Sequence, residues 1–236
     1  MAPTITFLGE GSSTTLATTT DSALITVTSG RPLVAWFASS NLVFAPTAIT
    51  LDPSGTPQSF VKMDHDQADG ANDCTGDLWY IDSPSTVTAI VQVTHANSAS
   101  SRAVQVAEID GHNTSSSTAW RDGHPPTVVV TSGTTHEITI TSEAGDLPLA
   151  FVSLRQTASA PNLTNNGDTT TVDNVLGGTT IRGRILSGAG AASVTMGGTT
   201  ASATQSVVMG FNVNAASVGG SSIAAIVSGY QQRGMI

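Results

Sequence analysis

The chain contains a single cysteine, Cys74, so no intrachain disulfide forms and no thiolate cluster exists to hold zinc or an iron–sulfur centre. Basic residues are scarce: Lys62 is the only lysine, seven arginines are scattered, and the formal net charge of −9 leaves no basic stripe to neutralise phosphates. That balance disfavours nucleic acid and anionic membrane surfaces as partners. No apolar run reaches the length of a membrane span. The N-terminus, Met1-Ala2-Pro3-Thr4, lacks the basic segment and apolar run of a signal peptide, so the expectation is synthesis and retention in the cytoplasm.

Aromatic residues make up 5% and charged residues 11%, whereas Ser and Thr together number 63 of 236. Thr, Val and Ile suit a pleated, half-buried surface, and Gly, Ser, Asn, Asp and Pro punctuate it with turns. The hydrophobic fraction of 39% is enough for a packed core. The composition predicts an all-β chain, an antiparallel β-sandwich, as one domain over residues 1–216.

Short apolar/polar alternation recurs along the chain. Ala23 to Thr28 and Pro32 to Phe37, separated by Ser29-Gly30, read as one hairpin. Asp77 to Asp82 and Thr86 to Thr94, separated by Ser83-Pro84-Ser85, read as a second. Arg102 to Ile109, Thr127 to Thr131, Glu137 to Ser142, Leu147 to Leu154, Thr179 to Leu186, Ala192 to Met196 and Gln205 to Val213 continue the series. No fixed-period repeat is visible. Residues 217–236 read as a C-terminal extension, an assembly or anchoring arm or else a frayed edge strand.

The densest polar cluster is Asp64, His65, Asp66, Asp69, Asn72, Asp73 and Asp77. Asp64, Asp66, Asp69 and Asp73 supply the hard oxygen ligands that Ca²⁺ takes, but the EF-hand order is absent, so an acidic solvated loop is the plainer reading and no cofactor is required. The five histidines form no metal-binding spacing, and most read as exposed loop or strand residues. Trp120, bracketed by Asp110-Gly111-His112-Asn113 and Arg121-Asp122-Gly123-His124, suggests a ligand site of Trp120, His112 and Asp122 that stacks on a sugar; two ordinary turns around a partly buried Trp120 explain the same residues. Nucleophile motifs are missing, and Glu108 and Asp110, at strand spacing on one face, are the nearest approach to a glycosidase pair. The chain reads as no enzyme.

Leu24-Ile25-Thr26-Val27, Arg31-Pro32-Leu33-Val34-Ala35-Trp36, Leu78-Trp79-Tyr80-Ile81, Ala107-Glu108-Ile109-Asp110, Ala144-Gly145-Asp146-Leu147 and Ser206-Val207-Val208-Met209-Gly210-Phe211-Asn212-Val213 together resemble a β-sandwich family of bacteriophage virion and bacterial surface proteins. The resemblance spans about residues 8–213 and implies a sandwich of jelly-roll-like type. It implies a virion structural protein made in the host cytoplasm: a capsid decoration or cement protein, or a head-fibre or tail component. Its implied partners are other virion proteins, such as the major capsid protein, and further copies of itself in a homo-oligomer. A carbohydrate-binding adhesin or receptor-binding module is the alternative.

Overall fold

A computed structural model of the chain describes residues 1–14, 17–40, 45–68, 74–99, 101–116, 118–155, 163–165, 169–175 and 181–216, and all of its regular elements are strands. The extension expected at 217–236 lies outside the described residues.

The first half contains β1 (Thr4–Ser13), β2 (Ala17–Asp21), β3 (Ile25–Val27), β4 (Leu33–Ser39), β5 (Pro46–Leu51), β6 (Gln58–Ser59), β7 (Val61–Ala68), β8 (Cys74–Ile81), β9 (Val87–Ala89), β10 (Val91–Ala99) and β11 (Arg102–Asp110). The second contains β12 (Arg121–Thr131), β13 (Thr135–Ile140), β14 (Leu147–Arg155), β15 (Thr164–Asn165), β16 (Thr169–Val175), β17 (Ile181–Ser187), β18 (Val194–Thr199) and β19 (Ser206–Val213). In the first half an inner sheet runs β1-β11-β4-β8-β7, with an outer sheet β2-β10-β5-β6 and a β3-β9 ladder. In the second half the inner sheet runs β12-β19-β14-β17-β16 and the outer sheet β13-β18-β15. Every pairing is antiparallel.

The expected all-β antiparallel sandwich is therefore present twice, with the two inner sheets in one topology and outer layers that differ in strand number. Each inner sheet places its first strand at one edge beside its last strand. β4 and β14 hold the centre, and β8-β7 corresponds to β17-β16. Residues match as well as strands. Ala38 opposite Gly76 corresponds to Ser153 opposite Gly183, and Ala103 opposite Ala38 to Val207 opposite Ser153. Ile25-Thr26-Val27 on β3 corresponds to Ile138-Thr139-Ile140 on β13, and each central Thr meets a partner across the ladder, Thr26–Thr88 and Thr139–Thr195, at 3.1 Å in both cases. Register breaks recur at matching places: Phe7/Gly9 and Asp122/Thr127 on the first strands, Lys62/Asp64 and Thr170/Val172 on the last-edge strands.

Three apolar clusters separate four layers. Val34, Trp36 and Ala38 of β4 face Leu149 and Phe151 of β14 in a central core between the two inner sheets. Leu33, Ala35 and Phe37 face the outer sheet of the first half, while Ala150, Val152 and Leu154 face that of the second. Strands β4 and β19 are buried along their whole length, because a central strand of an inner layer has no solvent face. β8 packs on β14 and β19 as β17 packs on β4 and β11, so the halves are related by an approximate two-fold.

Both hairpins expected from the sequence are layer-to-layer crossings instead. β3 pairs with β9 while β4 lies between β11 and β8, and β8 and β10 belong to different sheets. Gly30 (φ 77°) in the first crossing, and its counterpart Gly145 (φ 98°) between β13 and β14, turn in the left-handed region, where a side chain is strained. The two ends of the acidic segment are strand and not loop: Asp64, His65 and Asp66 lie within β7 and Asp77 within β8, with residues 69–73 outside the described residues.

Gly76 lies on the face of β8 that meets the other inner sheet, and a Cβ there would press into the Trp36 ring and reach within 3.0 Å of Val207 on β19. At Gly183 the nearest atom would be the end of the Gln105 side chain at 3.1 Å, which can shift. Gly76→Ala is expected to cost about 1–3 kcal/mol by overpacking, and Gly183→Ala less, in urea melts of the full chain. Equal, negligible losses would contradict this packing.

Candidate functional site

The segment from β11 to β12 crosses from one half to the other and carries His112 and Trp120. His112 pairs as a lone antiparallel bridge with Ala215, and Asn113 N–H donates to Asn214 O at 2.9 Å, so the crossing is stitched to the chain just after β19. Here Gly30, Asp82, Ser83, His112, Thr114, Ser116 and Trp120 line a cleft of about 270 Å³.

Trp120 is 1% exposed and belongs to the central core. Its ring meets Tyr80 and Phe211 edge-on, with centroids at 6.2 and 5.8 Å. Its indole N–H donates to Asp82 Oδ1 at 2.7 Å. Arg121 closes the arrangement: its guanidinium lies 4.2 Å from the Tyr80 ring centroid and donates to Tyr80 OH at 3.0 Å, with Nε 3.7 Å from Asp82. An indole enclosed this way is an anchor and has no open face for a sugar ring.

His112 is 8% exposed, and burial lowers its pKa, against the opposing influence of Asp110 and the Ile109 backbone, so the ring is neutral at pH 7. The cleft thus offers a neutral imidazole, a carboxylate and three hydroxyl groups, a surface suited to hydrogen-bonding an uncharged polar molecule. The structure brings two of the three expected ligand residues together. The third, Asp122, stands opposite Asn212 in β12, and its side chain lies outside the described residues. Sequence reading missed Asp82, Tyr80 and Arg121, since only the folded chain brings β8 to the start of β12.

The acidic segment is organised around Asp77, which is fully buried on β8. The register break between Lys62 and Asp64 turns Lys62 and His65 to the same side, where Lys62 Nζ lies 3.3 Å and His65 Nδ1 3.0 Å from Asp77 Oδ1. Lys62 also covers the Trp79 ring at 4.9 Å. Asp64 and Asp66, on either side of His65, each accept the N–H of the following residue. Asp69 and Asp73 lie outside the described residues, and no group of three potential metal ligands occurs among those described.

The expectation of exposed histidines is corrected: His95, His112 and His136 are buried. His136 stands between Ser206 and Thr200 hydroxyls at 2.8 and 2.9 Å, and burial brings its pKa down to about 4. Glu108 and Asp110 are held by one guanidinium, Arg31 Nη1 to Glu108 at 2.7 Å and Nη2 to Asp110 at 2.7 Å, and Glu108 also accepts Thr28 N–H. Both carboxylates brace a turn.

Two outcomes are expected. Asp82→Ala leaves a buried indole N–H without its acceptor and should cost about 1–3 kcal/mol, a loss largely absent in a Trp120→Phe background; additive losses in that cycle would show the contact to be idle. The His65 pKa is raised, chiefly by its hydrogen-bonding contact with Asp77, with burial opposing. A raised folded-state pKa gives stability that is full below the ordinary value of about 6.5 and is lost as pH climbs through the folded value. Urea melts between pH 5.5 and 8.5 should show this decline in the wild type and not in His65→Asn; parallel curves would contradict it.

No family model, curated protein or solved structure matches the chain.

Proposed function

We propose that the protein is a structural component of a bacteriophage particle, a capsid decoration or cement protein or a head-fibre or tail subunit, which acts by binding other virion proteins and not by catalysis. The observation that carries this reading is the back-to-back pair of equivalent sandwiches. Four packed layers make one block, and its approximate two-fold presents similar inner-sheet edges in two directions. Such a block suits bridging between neighbours in a shell or fibre. Exposed apolar side chains sit on strands at the edges of the inner sheets, Phe7 on β1, Val61 on β7 and Val130 on β12, where an edge strand offers backbone and apolar surface to a protein partner. The virion setting is supported by the residue resemblance over 8–213.

The cleft beside His112 favours a second reading, a carbohydrate-binding or receptor-binding module. Light scattering of the purified protein, alone and mixed with particles lacking it, separates the two. Saturable binding to particles is the expected result. A protein that ignores particles and binds host cells would overturn the structural reading in favour of the second.

A further inference from the structure

The two halves differ most tellingly at one corner. In the first half, Arg31 leaves the turn after β3 and its guanidinium fills the space between Glu108 and Asp110 at the end of β11. The register that equates Gly76 with Gly183 equates Arg31 with Asp146, Glu108 with Asn212, and Asp110 with Asn214. The second half has therefore lost the arginine. Its turn is also two residues longer between Ile140 and Gly145 than between Val27 and Gly30, and the lengthened segment carries Glu143.

A short aspartate in place of a long arginine leaves room, and a cavity of about 360 Å³ lies here, lined by Glu143, Asp146, Asn212, Asn214, Ser142 and Asn113 among others, with no lysine or arginine among the described residues of its lining. Its walls are held in place before any ligand arrives. Asp146 Oδ1 accepts Ala215 N–H at 2.8 Å, and its Oδ2 accepts Asn212 Nδ2 at 2.8 Å and Glu143 N–H at 3.2 Å. Ser142 Oγ donates to Asn212 Oδ1 at 2.8 Å, and Asn214 Nδ2 to Ala119 O at 3.0 Å. The first corner balances two carboxylates with a guanidinium; the second holds two carboxylates, Glu143 and Asp146, and no cation among the described residues.

We propose that this corner is a docking pocket for an arginine side chain presented by a partner protein, which takes the place that Arg31 fills in the first half. The inference rests on the reading of the protein as one that binds other proteins. A guanidinium fits because its planar fork donates to two acceptors at once, and the Glu143 carboxylate together with the remaining lone pair on Asp146 Oδ1 provides them. An anionic ligand meets two like charges here.

The test is an NMR titration of the full chain with N-acetyl-arginine methylamide, and with the uncharged isostere N-acetyl-citrulline methylamide. Arginine should give saturable shifts at the amides of Thr141 to Asp146 and at Ala215, with a Kd in the millimolar range fitting a single side chain. Citrulline should bind several-fold more weakly, and Glu143→Gln, an exposed substitution, should weaken arginine binding several-fold without changing the melting temperature. Absent shifts, shifts centred elsewhere, equal binding of citrulline, or indifference to Glu143→Gln would each overturn the proposal. Arginine binding by a protein that ignores particles would uphold this pocket and remove the virion reading. Particle binding without arginine binding would do the reverse.

Discussion

The contact on which the rest depends is the packing of one inner sheet against the other, centred on Trp36, Phe151 and Gly76. Trp36 and Phe151 are counterparts in the two halves and meet at 5.8 Å, and the Trp36 indole donates across the interface to Val152 O at 3.3 Å. Further polar ties accompany the apolar contact: Ser153 Oγ donates to Thr75 O at 2.7 Å and Gln105 Nε2 to Gly183 O at 2.9 Å, both fully buried. An inner sheet with apolar residues on both faces is not soluble by itself, so each half needs the other to cover what its own outer sheet does not. Because the two surfaces are counterparts, the arrangement has the geometry of a two-fold dimer carried in one chain.

Duplication also frees positions to differ. The inner-sheet centres keep their character, Trp36 with Phe151 and Gly76 with Gly183, because both press on the shared interface. The outer corners do not touch it and have diverged. Asp77 corresponds to Arg184, so a buried acid in one half stands where the other has a buried base that donates to Leu163 O. The Arg31 corner is sealed by ion pairs, and the Asp146 corner is a polar cavity. Divergence confined to places the common interface does not constrain is where an individual function has room to arise.

Much of the strand content was legible because alternation and Gly- or Ser-rich breaks mark it: β11, β14 and β19 fall where the apolar runs stand. Connectivity was not legible. A Ser29-Gly30 turn reverses the chain equally well within a sheet or between layers, and only the burial of β4 on both faces decides that it must lie between β11 and β8. The duplication was hidden by drift: counterparts stand 113 residues apart at Ile25/Ile138, 107 at Gly76/Gly183 and 104 at Val104/Val208, so no single period exists to find. Asp64 to Asp66 read as a loop because edge strands tolerate charge on their open side. For the cleft, the sequence marked Trp120 and His112, but the enclosure of the indole by Tyr80, Phe211 and Asp82 is a tertiary fact that no local pattern carries.

The most direct test of this account is hydrogen exchange of the full chain, read residue by residue at increasing sub-denaturing urea. If the central interface holds both halves, amides of β4 and β8 and those of β14 and β17 open together with one free energy and one urea dependence. If one half exchanges through a separate opening at low urea while the other stays protected, the halves are independent domains, and the claim that they share an indispensable core fails.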